Sequence, residues 1–180
     1  MQDLLTIIKE RRSVRNFSDQ PVSEAMLQTI LTAVQWTPSW ANTQCWEIVV
    51  VRDKAIREKL QAAVPAVNPA HKSILAAPVV LALCARRNDS GYYKGVVTTK
   101  FGDWFMFDLG LAAQSICLTA HSLGLGTVIV GLYAHDQVNA ALNLPENVEN
   151  VALMPLGYPT KIPSPPKRKG ISEFLHNDGF

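Results

Sequence analysis

Cysteine is scarce in this chain. Three residues, Cys45, Cys84 and Cys117, occur in 180, with no CxxC unit and no even-numbered set, which argues against a disulfide framework and fits a reducing compartment. No uninterrupted apolar run reaches the roughly 18 residues of a bilayer-spanning helix, so no membrane association is expected. Charge of either sign is also modest. With 17 Lys and Arg against 15 Asp and Glu, the net charge is +2, too mild for the basic face of a nucleic-acid binder or membrane-surface protein. Familiar catalytic motifs are missing: there is no G-x-S-x-G elbow, no H-E-x-x-H, no P-loop and no G-x-G-x-x-G. His71, His121, His135 and His176 have no metal-ligand spacing, so no metal site is expected. GLGTVIVG, at 124–131, has the glycines of a dinucleotide loop but lies between helix and strand in the wrong order; those glycines are expected to cap a helix and make a turn. The opening MQDLLTIIKERR has its charges after the apolar residues and no cleavage site, so a secretory signal is not expected and the cytoplasm is.

What the sequence does have is apolar residues. At 48% hydrophobic and 18% charged, a chain of this length is read as one domain, residues 1–180, with some apolar surface buried against another subunit. A helical stripe of Leu4, Leu5, Ile7 and Ile8, capped by Asp3, ends in Arg11 and Arg12. Ser23-Glu24 opens a second helix with Met26, Leu27, Ile30, Leu31 and Val34 on one face. Short β-branched runs predict buried strands at 46–51, 79–85, 127–131 and 151–158. Asp53 caps a short helix, Asn68-Pro69 starts another that ends near Pro78, and a further short one surrounds 138–142. Residues 86–99 read as a long loop whose Tyr92 and Tyr93 could cover something. The longest helix is expected at 103–123, apolar almost all round and closed by Gly124. A proline-rich tail from about 159 is expected to be extended. Helices alternating with short strands make the class α/β or α+β.

Two stretches point to chemistry. ERRSVRNF puts Arg11, Arg12, Ser13 and Arg15 together at a helix exit. Guanidinium forks and a hydroxyl match a phosphate monoester; a solvated basic patch stabilised by the helix dipole is the alternative from this stretch alone. TPSWANTQCW supplies Pro38, Ser39, Trp40, Asn42 and Gln44 just before a buried strand, a mixture of amide, hydroxyl and flat aromatic surface that suits an amphipathic heterocycle. Cys45 reads as a small buried hydrophobe and Trp46 as core.

Together these segments resemble the flavin-dependent nitroreductase family. The matching pieces are RRSVRNF, PSWANTQCW, DLGLAAQSICLTAHSLGLGT (108–127), MPLGYP (154–159) and PKRKGISEFLH (166–176), in order along nearly the whole chain. The resemblance implies an α+β fold, with a central, mostly antiparallel mixed sheet flanked by helices, and an intertwined homodimer with FMN between subunits. It implies that Arg11 and Ser13 bind the FMN phosphate with Arg12 beside them, and that Arg15 reaches the N1/O2 edge. It further implies that Pro38, Ser39, Trp40 and Asn42 of the partner subunit meet ring and ribityl chain, that Ile129, Val130 and Gly131 line the other side, and that Arg168 and Lys167 close on the phosphate. Cys45 and Trp40 stand where the family usually has proline and a smaller or polar residue.

The implied activity is ping-pong hydride transfer, in which NADH or NADPH reduces FMN and a nitroaromatic, quinone or activated alkene reoxidises it. Alternatives keep the flavin but change the chemistry, to reductive dehalogenation, aldehyde reduction or flavin breakdown, or leave a non-catalytic flavin-binding module. No protein nucleophile is then needed.

Overall fold

The computed structural model describes residues 3–180, and its first helices begin where the sequence offers side-chain caps. The Asp3 carboxylate accepts the Thr6 amide at the head of α1 (Leu4–Glu10), Ser23 does the same for Met26 at α2 (Glu24–Gln35), and Asp53 for Ile56 at α3 (Lys54–Ala63). Each cap satisfies an amide that the helix cannot pair internally.

Four strands make the main sheet: β1 (Trp46–Val51), β2 (Val79–Arg86), β5 (Gly126–Thr127) and β6 (Val148–Gly157), in the order β1-β2-β6-β5. A separate hairpin pairs β3 (Tyr92–Tyr93) with β4 (Val96–Val97). Every ladder is antiparallel, and the one parallel contact among the described residues is an isolated bridge between Ser13 and Thr127.

The alternation of β2 divides the core in two. Val79, Leu81, Leu83 and Ala85 face α2 and α5 (Phe105–Ser122), packing with Leu27, Ile30, Leu109 and Ile116. Val80, Ala82 and Cys84 face the other way, against Leu60 of α3, Ile74 of α4 (Ser73–Ala76) and Val138 of α6 (His135–Ala141). A strand covered on both faces needs apolar residues at every position, which is why VVLALCA reads as an unbroken run. The result is a three-layer α/β/α arrangement, with α2 and α5 on one face of the sheet and α3, α4 and α6 on the other. Among the described residues no helix is long and apolar enough to cross a membrane.

Several sequence expectations change. β1 is an edge strand, half covered rather than buried on both faces, with Trp46 partly buried against the core. The strand expected at 127–131 stops at Thr127 and resumes only as a bridge from Val130 to Leu153. By register Val128 falls opposite Pro155, which has no N–H to complete that rung. The helix expected from Pro69 shrinks to Ser73–Ala76. The stretch before it folds as successive three-residue turns, Asn68 to Pro65, His71 to Asn68 and Ser73 to Ala70. The long loop at 86–99 contains the hairpin, turned by Lys94 and Gly95, both at positive φ, as a tight type I′ connection requires. The stripe of α1 faces outward: Leu4, Leu5 and Ile8 are exposed.

Candidate functional site

The chain leaves α1 at Arg11 in extended geometry and runs alongside β5. Val14 is the anchor: its side chain is buried with Phe17 and Ala77 and its amide donates to the Thr127 carbonyl at 2.9 Å. That approach requires glycine at 126, where a Cβ would lie 2.7 Å from Val14 Cβ. With Val14 held inward, Ser13 pairs with Thr127 and Arg15 stays exposed. The Ser73 hydroxyl donates to the Arg15 carbonyl at 3.0 Å, tying the far end of the segment to α4.

Among the described residues, the Arg12 and Arg15 guanidinium groups bond only backbone carbonyls. Arg12 donates to the carbonyls of Lys9 at 2.5 Å and Arg11 at 2.8 Å, and Arg15 to that of Ser13 at 3.2 Å. Among the described residues, none of Arg11, Arg12, Arg15 and Arg168 forms an ion pair; the paired cations are Arg52, Lys54 and Arg86. These four arginines and Ser13 line one cavity of about 240 Å³, completed by Pro163, Ser164 and Pro166 of the tail. Converging cations without carboxylates, together with a hydroxyl, fit a group carrying a phosphate. Lys167, also expected here, is exposed and does not line this cavity.

A smaller neighbouring cavity of about 90 Å³ shares Arg11 and Arg12 and reaches Cys117, His121 and Thr127. Burial pushes the Cys117 thiol up, against the opposing effects of the Thr127 hydroxyl, 3.3 Å away, and of the Arg11 charge. The Gly124 cap below it forms as expected: Gly124 has φ +77°, its amide donates to His121, and the Leu125 amide to Ala120.

The second candidate stretch lies after α2. Ser39 Oγ accepts the Gln44 amide at 2.9 Å, and Ala41, Asn42 and Gln44 adopt φ of +45°, +56° and +50°, a region that residues other than glycine rarely occupy. Pro38 and Asn42 line a cavity of about 410 Å³ with Gln35, Trp36 and Gln44, separate from the arginine cavity. Among 129–131, Ile129 and Gly131 are exposed. Val130 is not available as a lining residue: its side chain is 2% exposed, and its N–H and C=O both bond Leu153.

Asp108 escaped the sequence reading. It is fully buried on α5 and accepts the Trp40 amide at 3.0 Å, the Ser90 hydroxyl at 2.6 Å and the Cys45 thiol at 3.6 Å. The available signal was the single acidic residue of α5, set among apolar neighbours in its first turns. Cys45 is itself pushed up to about 12, first by burial and then by the charge of Asp108; it is a packed thiol, not a nucleophile.

The nitroreductase family model matches residues 8–72 and 64–158 of the chain. A Methanothermobacter thermautotrophicus protein named NADH dehydrogenase/NAD(P)H nitroreductase is 34% identical over 165 residues, covering 89% of this chain and 80% of its own. A crystal structure of a Bacteroides thetaiotaomicron protein of that name superposes with a TM-score of 0.82 at 29% identity, covering 100% of this chain and 99% of the other. A Desulfovibrio desulfuricans nitroreductase structure, in complex with FMN, superposes at 0.80 with 28% identity and the same coverage.

Proposed function

Because the chain belongs to the nitroreductase family, we propose that it is an FMN-dependent NAD(P)H oxidoreductase acting as a homodimer. The observation that carries this is the gathering of Arg11, Arg12, Arg15 and Arg168 around one cavity with no carboxylate partner among the described residues. A protein gains nothing by assembling uncompensated like charges unless an anion relieves them.

Arg11, Arg12, Ser13 and Arg168 hold the phosphate through charge-assisted bonds, with Lys167 adding its charge from the tail. Arg15 would hold a fixed cation beside the ring of the bound cofactor, where it would favour negative charge. Held there, FMN would supply two-electron hydride chemistry between NADH or NADPH and an acceptor such as a nitroaromatic, quinone or activated alkene. Ile129 and Gly131 present exposed surface to one side of the ring. Pro38, Ser39, Trp40 and Asn42 come from the second copy, a reading supported by their separation from the arginine cavity within one chain.

Exposed apolar groups support the dimer. Leu4, Leu5 and Ile8 on α1, and Phe174 and Leu175 in the tail, are each more than 40% exposed, a pattern that marks surface awaiting cover. The test is optical. Purified protein should be yellow and bleach anaerobically on addition of NADH or NADPH; a colourless protein that FMN cannot reconstitute would end the proposal.

A further inference from the structure

Asp108 has no cationic partner among the described residues, yet it is 0% exposed. Burying a carboxylate is expensive, and an apolar side chain would pack this helix at lower cost. What only a carboxylate does here is accept several hydrogen bonds at once. Its three donors come from segments far apart in the chain: the Trp40 amide and the Cys45 thiol flank the loop that leads into β1, and the Ser90 hydroxyl belongs to the connection between β2 and α5.

Both segments need holding. The loop before β1 contains Ala41, Asn42 and Gln44 at positive φ, and such backbone persists only where its surroundings over-determine it. Its bonds to the rest of the chain include the one from Trp40 to Asp108. On the other side, Ser90 accepts the Trp104 amide at 3.0 Å, and from there extends a row of tilted rings, Phe101, Trp104 and Phe107, with centroids 5.8 and 5.5 Å apart.

We propose that Asp108 is a positioning residue that clamps the Trp40 loop to the Ser90 segment. Given the flavin site proposed above, one buried carboxylate then sets the loop that contacts the cofactor and the aromatic row beside it as a single body. The clamp makes a demand that simple packing does not: loosening the Ser90 end must be felt at Trp40.

Amide hydrogen exchange and flavin binding on the full chain test this, with D108N, S90A and, as a control, D103N, whose carboxylate caps the Asn88 amide. Asparagine keeps the shape of Asp108 but offers one acceptor oxygen instead of two. In D108N the Trp40 amide should exchange about tenfold faster or more, the visible circular dichroism of bound FMN should change, and its dissociation constant should rise about tenfold, the scale of one charge-assisted bond. S90A should move all three in the same direction by less, and D103N none of them. If D108N does not fold, S90A alone decides. Trp40 exchange and the flavin signal both unchanged in S90A, or D103N matching the effect of S90A, would overturn the clamp. Should wild-type protein bind no FMN, the flavin reading fails while Trp40 exchange still judges Asp108.

Discussion

The Val14 amide donates to the Thr127 carbonyl at 2.9 Å, and this contact turns a loose exit from α1 into a fixed edge of the sheet. With Val14 pinned, alternation along the segment separates a buried residue from its polar neighbours Ser13 and Arg15. The arginine cavity exists because residue 14 is held at residue 127.

Gly126→Ala should therefore damage both stability and binding. The new Cβ would meet Val14 Cβ at 2.7 Å, a β-branched side chain with no room to yield, at a cost of about 1–3 kcal/mol for overpacking. A lowered Tm with weakened FMN binding is expected in thermal melts and flavin titrations. Normal values of both would mean that the approach of the two segments is not required.

Arg11→Ala removes one cation from the cavity without touching the core. FMN affinity should fall by roughly 10- to 100-fold, the scale of a lost charge-assisted bond, while the Tm of the flavin-free protein stays near wild type. Flavin fluorescence quenching reads the dissociation constant; equality with wild type rules out Arg11 as a phosphate ligand.

Deleting residues 161–180 removes Arg168 and the tail segment of the cavity while exposing little that the core relies on, since the tail is almost wholly exposed. We expect weaker FMN binding and a shift toward monomer in sedimentation velocity. A truncated protein that stays dimeric and binds FMN as tightly as the full chain contradicts the role given to the tail.

Alkaline pH should destabilise the fold through its buried thiols. Burial raises Cys45 from 9.0 to about 12 and Cys84 from 9.0 to about 11. Above pH 9 the unfolded chain therefore releases protons that the folded chain retains, and the folded state loses ground as pH rises. Urea midpoints should fall between pH 8 and about pH 10.5, and the fall should be shallower in a Cys45→Ala, Cys84→Ala double variant. The same slope in both proteins would assign the loss to other groups.

Much of this is legible in the sequence alone, and for local reasons. Asp3, Ser23 and Asp53 cap the helices that follow them, Gly124 closes α5, and the unbroken run at 79–85 is the doubly covered β2. Each is written within a few neighbouring residues, where capping, periodicity and turn chemistry act. The misreadings arose where a distant residue decided. The strand expected through 127–131 fails at Val128 because Pro155 faces it, and β1 is only half covered because it lies at the edge of the sheet, with no described strand on its outer side.

By itself, the order of residues determined that several guanidinium groups would gather at the end of a helix, and that the chain would fold as helices around a short apolar sheet. Proximity in sequence is enough for both. Only the tertiary structure decided that Arg168, more than 150 positions from Arg11, would share its cavity, that Val130 would turn into the core, and that Asp108 would collect Trp40, Cys45 and Ser90 on one carboxylate. Those contacts depend on how strands register and layers stack, and no window of neighbouring residues contains that information.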